Sequence, residues 1–300
     1  MTFVSNILIS MVLMLPLKTV VAIAAEFLVM PYYAAKIILD TPRKKTYTKI
    51  KYAADKRQYL CVYEPEKNVR RCKQVILLYH GGSWRMGSPE FYRLFAQKAN
   101  EAGYTVAVAT YRFVPKYQYY DIQIDAELAL KATRNYMQQQ GRGSQKIMLI
   151  GESAGGNMAA HLVYDTVRQG QPTIFSGLIS IAGAINVQDM GDSQGLRNYC
   201  GVRSSQMFAD ANILDKLQDK ETLPFFCMHG NKDVLVDYSS SVNFVEMLKL
   251  RQNENVSLVS LPDYGHMKTC FTWYTNPILF NKILEWIFEQ EKLQISQMSN

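Results

Sequence analysis

The sequence has few cysteines and histidines, and their spacing is unlike that of a metal or redox site. Five cysteines and four histidines occur in 300 residues, with no C-x-x-C pair and no cluster of zinc-ligand spacing. A chain of this length buries enough surface to fold without disulfides. We therefore expect no metal and no organic cofactor. We also expect free, buried thiols, with a Cys61–Cys72 bridge as the alternative.

Acidic residues are scarce along one stretch, and no nucleic-acid-binding motif accompanies the resulting excess of positive charge. The net charge is +7, and much of it lies between Arg43 and Lys73. Because this basic stretch follows an apolar segment, it favours contact with anionic lipid headgroups over contact with nucleic acid. A solvated basic face is the alternative interpretation.

Charged residues are also rare near the N-terminus. Residues Phe3–Leu39 are mostly apolar, and the run Ile7–Ala25 is about as long as a helix that crosses a bilayer core. We predict that residues 1–40 form a membrane-associating segment, either an anchor or a helix in the membrane plane. A cleaved signal peptide is one alternative, since Ala22-Ile23-Ala24 resembles a cleavage site, and the protein would then be secreted. A soluble cap over the functional site is another.

Residues 41–300 show alternating strand and helix patterns. If the N-terminal segment spans a membrane, the positive charges that follow it place this domain in the cytoplasm by the positive-inside rule. The alternation predicts an α/β fold with a mostly parallel central sheet and helices on both faces. The less periodic stretch 183–222 predicts a small lid. The predicted strands are Gln58–Tyr63, Gln74–His80, Tyr104–Thr110, Lys146–Gly151, Gly177–Ala182, Leu223–His229 and Val256–Leu261, and the predicted helices are Pro89–Ala102, Asp121–Gln139, Ala154–Arg168, Ser239–Leu250 and Pro277–Glu289.

A G-x-S-x-G motif lies between a predicted strand and a predicted helix. The motif is Gly151-Glu152-Ser153-Ala154-Gly155. This strand–turn–helix context is that of a nucleophile elbow, where a strained turn exposes the serine hydroxyl. Small flanking residues let the backbones approach, and the helix N-terminus contributes a positive dipole end. The motif therefore predicts that Ser153 is a nucleophile.

A second glycine-rich turn follows the strand Gln74–His80. It reads His80-Gly81-Gly82-Ser83-Trp84, and its glycines allow backbone N–H groups to turn toward a carbonyl oxygen. We predict an oxyanion hole formed by the N–H groups of Gly81, Gly82 and Ala154. A plain glycine-rich turn after a strand is the alternative.

The base and the acid follow from the required chain order of nucleophile, acid and histidine. His266 lies after the last predicted strand, and it alone leaves room for an acid beyond Ser153 at another strand end. Asp233 follows the strand Leu223–His229 and is the predicted acid, with Asp237 as the alternative. The acid would hold the imidazole in its correct tautomer. The other histidines are expected to be structural, with His161 packed in a helix.

Four motifs in this order, HGGSW, GESAGG, HGNKD and DYGH, resemble the hormone-sensitive-lipase-like esterases of the α/β-hydrolase superfamily. The resemblance extends from about Lys51 to Glu289 and implies the α/β-hydrolase fold. It also implies a structural pair between Arg112 and Asp125. HGGxW and the terminal GHxKT are similar to the prenylcysteine methylesterase group, and HGGxW also to kynurenine formamidases. The third glycine of the usual HGGG is Ser83 here, which puts access for bulky acyl groups in question.

These residues predict a serine hydrolase that cleaves carboxylic esters through an acyl-enzyme. The expected substrate is a small-molecule or lipid-like ester. An amidase would use the same catalytic residues and is the first alternative. A non-catalytic binding protein of the same fold is the second, although Ser153, Asp233 and His266 are all present.

Overall fold

The apolar runs form an eight-stranded sheet, most of which is parallel, as the sequence predicts. The computed structural model describes residues 17–40, 47–168 and 174–298. The described residues do not include the first part of the apolar run Ile7–Ala25. They also do not include the basic residues Arg43, Lys44 and Lys45. The strands are β1 (Thr48–Lys51), β2 (Tyr59–Tyr63), β3 (Gln74–Tyr79), β4 (Thr105–Ala109), β5 (Lys146–Glu152), β6 (Phe175–Ile181), β7 (Phe225–Gly230) and β8 (Val256–Leu261).

The strands lie in the order β1-β2-β4-β3-β5-β6-β7-β8. From β4 to β8 every neighbouring pair is parallel. The central strands are buried on both faces, which explains their continuous apolar runs. Two apolar cores cover the two faces of the sheet. The carboxyl ends of β3, β5, β7 and β8 therefore meet at one edge, where an open parallel sheet places its chemistry.

Helices cover both faces, and four of the five predicted helices begin within two residues of their predicted positions. The helices that precede the lid region are α1 (Leu17–Asp40), α2 (Arg93–Glu101), α3 (Tyr119–Gln139) and α4 (Ala154–Arg168). Those after β6 are α5 (Gln194–Cys200), α6 (Gln206–Ala211), α7 (Tyr238–Leu250), α8 (His266–Cys270), α9 (Thr272–Thr275) and α10 (Pro277–Met298).

One edge of the sheet was not predicted. Strand β1 pairs antiparallel with β2, and β2 pairs antiparallel with β4. The sequence pattern indicates no strand at Thr48–Lys51, because three of these four residues are exposed and show no apolar alternation. The predicted helix Pro89–Ala102 also differs, since Pro89–Tyr92 forms a 3₁₀ turn before α2 begins.

The stretch 183–222 contains regular structure that its composition concealed. Two short helices, α5 and α6, are each capped by a serine hydroxyl that accepts a hydrogen bond from a backbone N–H. The Tyr199 ring in α5 stacks on Trp84, with ring centroids 3.9 Å apart and an interplanar angle of 5°. This stretch therefore packs on the glycine-rich turn that follows β3.

Two smaller predictions can be compared directly with the structure. All five cysteines are unpaired, so the alternative Cys61–Cys72 bridge is wrong; the Cys72 thiol instead donates to the Ala102 carbonyl at 3.3 Å. The Arg112–Asp125 pair is confirmed, with Nη2 and Oδ1 2.9 Å apart and the carboxylate fully buried.

Helix α1 is the one helix of the described residues that is long and apolar enough to cross a membrane, over Val20–Asp40. It contains Pro31. The part from Glu26 to Asp40 nevertheless lies against the domain, because Glu26, Tyr33 and Asp40 all contact the segment that follows β8. Length and composition alone therefore do not determine how this helix is placed.

Candidate active site

Ser153 lies in a sharp turn between β5 and α4. Its φ angle is +48°, a left-handed value that costs a non-glycine residue free energy and marks a strained turn. The surrounding backbone holds this geometry, since the Ser153 carbonyl accepts hydrogen bonds from the N–H groups of Gly156 and Ala184. A Cβ on Gly155 would lie 2.1 Å from the Tyr79 carbonyl oxygen, so only glycine permits the approach of α4 to β3. This is the geometry that a nucleophile elbow requires.

The three residues predicted to act together are brought together by the structure. Ser153 Oγ lies 2.8 Å from His266 Nε2, and His266 Nδ1 lies 2.6 Å from Asp233 Oδ2. All three side chains are buried. They come from three different strand ends, after β5, β7 and β8. With Nδ1–H donating to the carboxylate, Nε2 is free to accept the serine proton.

Asp233 is held by four hydrogen bonds. The Leu235 and Val236 N–H groups donate to Oδ1 at 2.9 Å each. Oδ2 lies 2.6 Å from His266 and 3.0 Å from His229. Burial alone would raise the pKa of Asp233, but the adjacent histidines and their hydrogen bonds outweigh it and hold that pKa well below its usual range. The carboxylate therefore stays ionised.

His229 was missed as a member of this cluster. It is fully buried, and besides Asp233 it contacts the Ser241 hydroxyl through Nδ1 at 2.6 Å. Burial lowers the pKa of His229, but the hydrogen bonds and charges of Asp233 and Cys227 together outweigh it and raise the pKa to about 9. The i, i+4 spacing of His229 and Asp233 in the HGNKD motif is the sequence signal that could have suggested the contact between these two side chains.

The other acids and histidines occupy structural positions. Asp237, the alternative acid, accepts a hydrogen bond from the Ser239 N–H at the start of α7. His161 is packed in α4 as expected, within 3.2 Å of the Tyr119 hydroxyl. His80 stacks on Tyr111 with centroids 4.7 Å apart, and burial lowers its pKa to about 4, so it stays neutral.

The turn after β3 adjoins the nucleophile. A Cβ on Gly81 would lie 2.9 Å from Ser153 Cβ, so Gly81 passes directly beside the serine. Gly82 has a φ of +116°, and a Cβ there would collide with the Met86 carbonyl. Ser83 and Trp84 follow, also with positive φ. Of the predicted oxyanion-hole residues, Gly81 thus lies beside Ser153, Gly82 follows Gly81 in the same turn, and Ala154 follows Ser153 directly.

Glu152 is a buried acid that sequence reasoning did not single out. It precedes Ser153, and one carboxylate oxygen accepts a 2.6 Å hydrogen bond from the Tyr92 hydroxyl. Burial raises the pKa of Glu152 to about 7, although the Tyr92 hydrogen bond and the nearby His266 act in the opposite direction. Its position inside the motif gave no sign of its burial, because that depends on the 3₁₀ turn Pro89–Tyr92 and on Trp273 in the segment after β8.

The comparisons with known proteins point to the same fold. A family model described as alpha/beta hydrolase fold matches residues 76–268. "Probable isoprenylcysteine alpha-carbonyl methylesterase ICMEL1" of Arabidopsis thaliana is 26% identical over 222 residues, which are 67% of this chain and 46% of that protein. "Esterase LipC" of Mycobacterium tuberculosis is 22% identical over 238 residues, covering 73% and 59%. The chain spans about half the length of the curated relatives it matches.

A solved structure, that of esterase B from Lactobacillus Rhamnosis, has a similar fold. The TM-score is 0.75 at 18% sequence identity, and the match covers 94% of this chain and 98% of that one. At this identity the likeness concerns the fold. The arrangement of Ser153, His266 and Asp233 is thus a separate observation, made on this chain's own side chains.

Proposed function

Because this chain belongs to the α/β hydrolase family, we propose that it is an esterase that hydrolyses carboxylic esters through an acyl-enzyme on Ser153. The observation that carries the proposal is the continuous hydrogen-bonded path from Ser153 Oγ through the His266 ring to Asp233. An adjacent base is what converts a weakly acidic serine hydroxyl into a nucleophile.

The reaction follows from this path. His266 Nε2 takes the proton of Ser153, and the serine oxygen attacks the ester carbonyl carbon. The protonated His266, stabilised by ionised Asp233, then gives its proton to the departing alcohol. Water attacks the acyl-enzyme with His266 as base again, which releases the acid and restores the serine hydroxyl. In this proposal Gly81, Gly82 and Ala154 stabilise the oxyanion through their backbone N–H groups.

The substrate class is a small or lipid-like ester. The name of the Arabidopsis relative suggests methyl esters of prenylated cysteine as the first natural-type substrates to examine. The stacked pair Trp84 and Tyr199 belongs to the turn after β3 and to the stretch 183–222, which we propose as the lid. Both rings are buried, so the pair holds the proposed lid against the turn that carries Gly81 and Gly82.

The test is a comparison of matched ester and amide substrates. We expect the purified full-length chain to hydrolyse p-nitrophenyl acetate and butyrate, and to cleave the corresponding p-nitroanilides more slowly. We also expect a fluorophosphonate probe to label it. If the p-nitroanilides were cleaved faster than the matching esters, the protein would be an amidase and the esterase proposal would be wrong. Absence of both labelling and turnover would leave a binding protein.

We further propose that residues 1–40 contact a membrane and that residues 41–300 form the catalytic domain. One face of α1 exposes large apolar side chains, since Val21, Leu28, Tyr32 and Leu39 are 59, 77, 61 and 81% exposed. At about 100° per residue, these four positions fall within about 40° of one another around the helix. An exposed apolar stripe of this kind is typical of a helix that lies at a lipid surface.

Leu28→Ser with Leu39→Ser should weaken binding to vesicles of phosphatidylcholine and phosphatidylserine by about tenfold or more, since each buried leucine contributes about 1.5–3 kcal/mol. The measurement is flotation of the full-length chain with the vesicles. Leu250→Ser is the matched control, because Leu250 is 76% exposed but lies at the end of α7. Unchanged flotation of the double variant would argue against this face.

A further inference from the structure

The Glu26 carboxylate reaches from α1 to the backbone that carries His266. One oxygen accepts a hydrogen bond from the His266 N–H and the other from the Met267 N–H, both at 2.8 Å. These N–H groups lie at the start of α8, where a helix has no carbonyl of its own to offer them. Glu26 therefore supplies acceptors for two backbone donors, one of which belongs to the proposed catalytic base.

Gly265 shows how closely this carboxylate approaches. A Cβ on Gly265 would lie 1.8 Å from Glu26 Oε1, and its three nearest heavy atoms all belong to Glu26. The φ of Gly265 is −87°, which any residue can adopt. Glycine at this position is thus required by the neighbouring carboxylate and not by the backbone conformation.

Four residues of α1 that contact the domain lie on one face of the helix. Glu26, Tyr33, Ile37 and Asp40 fall within about 60° of one another at about 100° per residue. The Tyr33 ring packs on Phe271 with centroids 4.9 Å apart, Ile37 is fully buried, and Asp40 accepts a hydrogen bond from the Tyr274 hydroxyl. This face of α1 therefore packs along the segment that comes directly after His266 in the chain.

We propose that Glu26 is a positioning residue, which fixes the backbone of His266 so that its ring stays in line with Ser153. This inference rests on the proposed function. A shift of about 1 Å in a catalytic group can cost about a hundredfold in rate. His266 bonds on both sides of its ring, to Ser153 and Asp233, so a displaced backbone cannot keep both distances.

The first experiment is a graded series at Glu26, assayed on a short p-nitrophenyl ester. Glu26→Ala should lower kcat by about 10- to 100-fold, with KM changed less than about twofold, because the base is displaced and the substrate contacts are not. Glu26→Gln keeps one acceptor oxygen and should recover part of the loss. Urea unfolding of each variant verifies that the chain is folded.

The second experiment displaces the carboxylate without altering it. In Gly265→Ala the new methyl group occupies the space of Glu26 Oε1, so kcat should fall as in Glu26→Ala. Because the carboxylate is absent from Glu26→Ala, adding Gly265→Ala to that variant should cause no further loss. Residues that act through one contact give such non-additive effects. Additive losses would overturn the proposal.

Asp40→Asn is the matched control. Asp40 secures the same face of α1 but contacts Tyr274, not the His266 backbone. We expect its kcat to stay within about twofold of the unmodified chain, and an equal loss in Asp40→Asn and Glu26→Ala would show that general helix docking is responsible. Turnover that depends on Ser153 but is unaffected by Glu26→Ala overturns this inference alone. A wild-type chain without such turnover overturns the proposed function as well.

Discussion

Ser153→Ala is expected to reduce turnover of a short p-nitrophenyl ester by about 10⁴–10⁶-fold. The substitution removes only the hydroxyl oxygen that lies 2.8 Å from His266 Nε2. Without it no acyl-enzyme can form, and only the oxyanion hole and substrate binding remain to accelerate direct attack by water. The measurement is kcat on p-nitrophenyl butyrate, together with labelling by a fluorophosphonate probe.

The control for this experiment is Ser239→Ala. Ser239 is exposed at the start of α7, and its replacement should leave both turnover and labelling unchanged. Ser153→Ala should unfold at a urea concentration close to that of the wild type, because alanine fits the same space. A variant that retains turnover within tenfold of the wild type would refute Ser153 as the nucleophile.

Asp233→Asn is expected to lower kcat by about 10⁴-fold, since it favours the wrong tautomer of the base. Two backbone N–H groups, those of Leu235 and Val236, point at Oδ1 and will orient the amide with its oxygen toward them. The amide NH₂ then takes the place of Oδ2 and faces His266 Nδ1 as a donor. His266 must respond by carrying its proton on Nε2, where it can no longer accept the serine proton.

Asp237→Asn and Asp263→Asn are the matched controls for this substitution. The Asp237 carboxylate accepts a hydrogen bond from the Ser239 N–H. The Asp263 N–H donates to Asn231, and no hydrogen bond joins Asp263 to His266 among the described residues. Both variants should keep kcat within about twofold of the wild type, because neither the Asp237 nor the Asp263 carboxylate orients the His266 ring. A loss in Asp237→Asn that equals the loss in Asp233→Asn would contradict the assignment of the acid.

The position of α1 links the two proposals about the N-terminus. Its exposed stripe, which includes Leu28 and Leu39, points away from the face that includes Glu26 and Asp40. A lipid surface that binds the stripe would therefore lie on the far side of a helix whose near side holds the His266 backbone.

The sequence by itself determined the features that depend on neighbours along the chain. Strands β3, β5 and β7 each contain a continuous run of apolar residues, so they were recognisable as central strands. The turn at Ser153 needs small residues on either side, and Gly151 and Gly155 stand in the sequence at those places. The chain order of the three proposed catalytic residues was also visible, because it reflects the order of the strands.

Tertiary structure decided the contacts between residues that no local pattern connects. Glu26 lies 240 residues from His266 in the chain, and inside an apolar run its carboxylate gave no sign of a partner. The burial of Glu152 depends on Tyr92 in a different element, 60 residues away. Strand β1 is an exposed edge that exists only because β2 offers it hydrogen bonds. Such contacts depend on how elements pack, whereas periodicity and turn chemistry describe only the elements themselves.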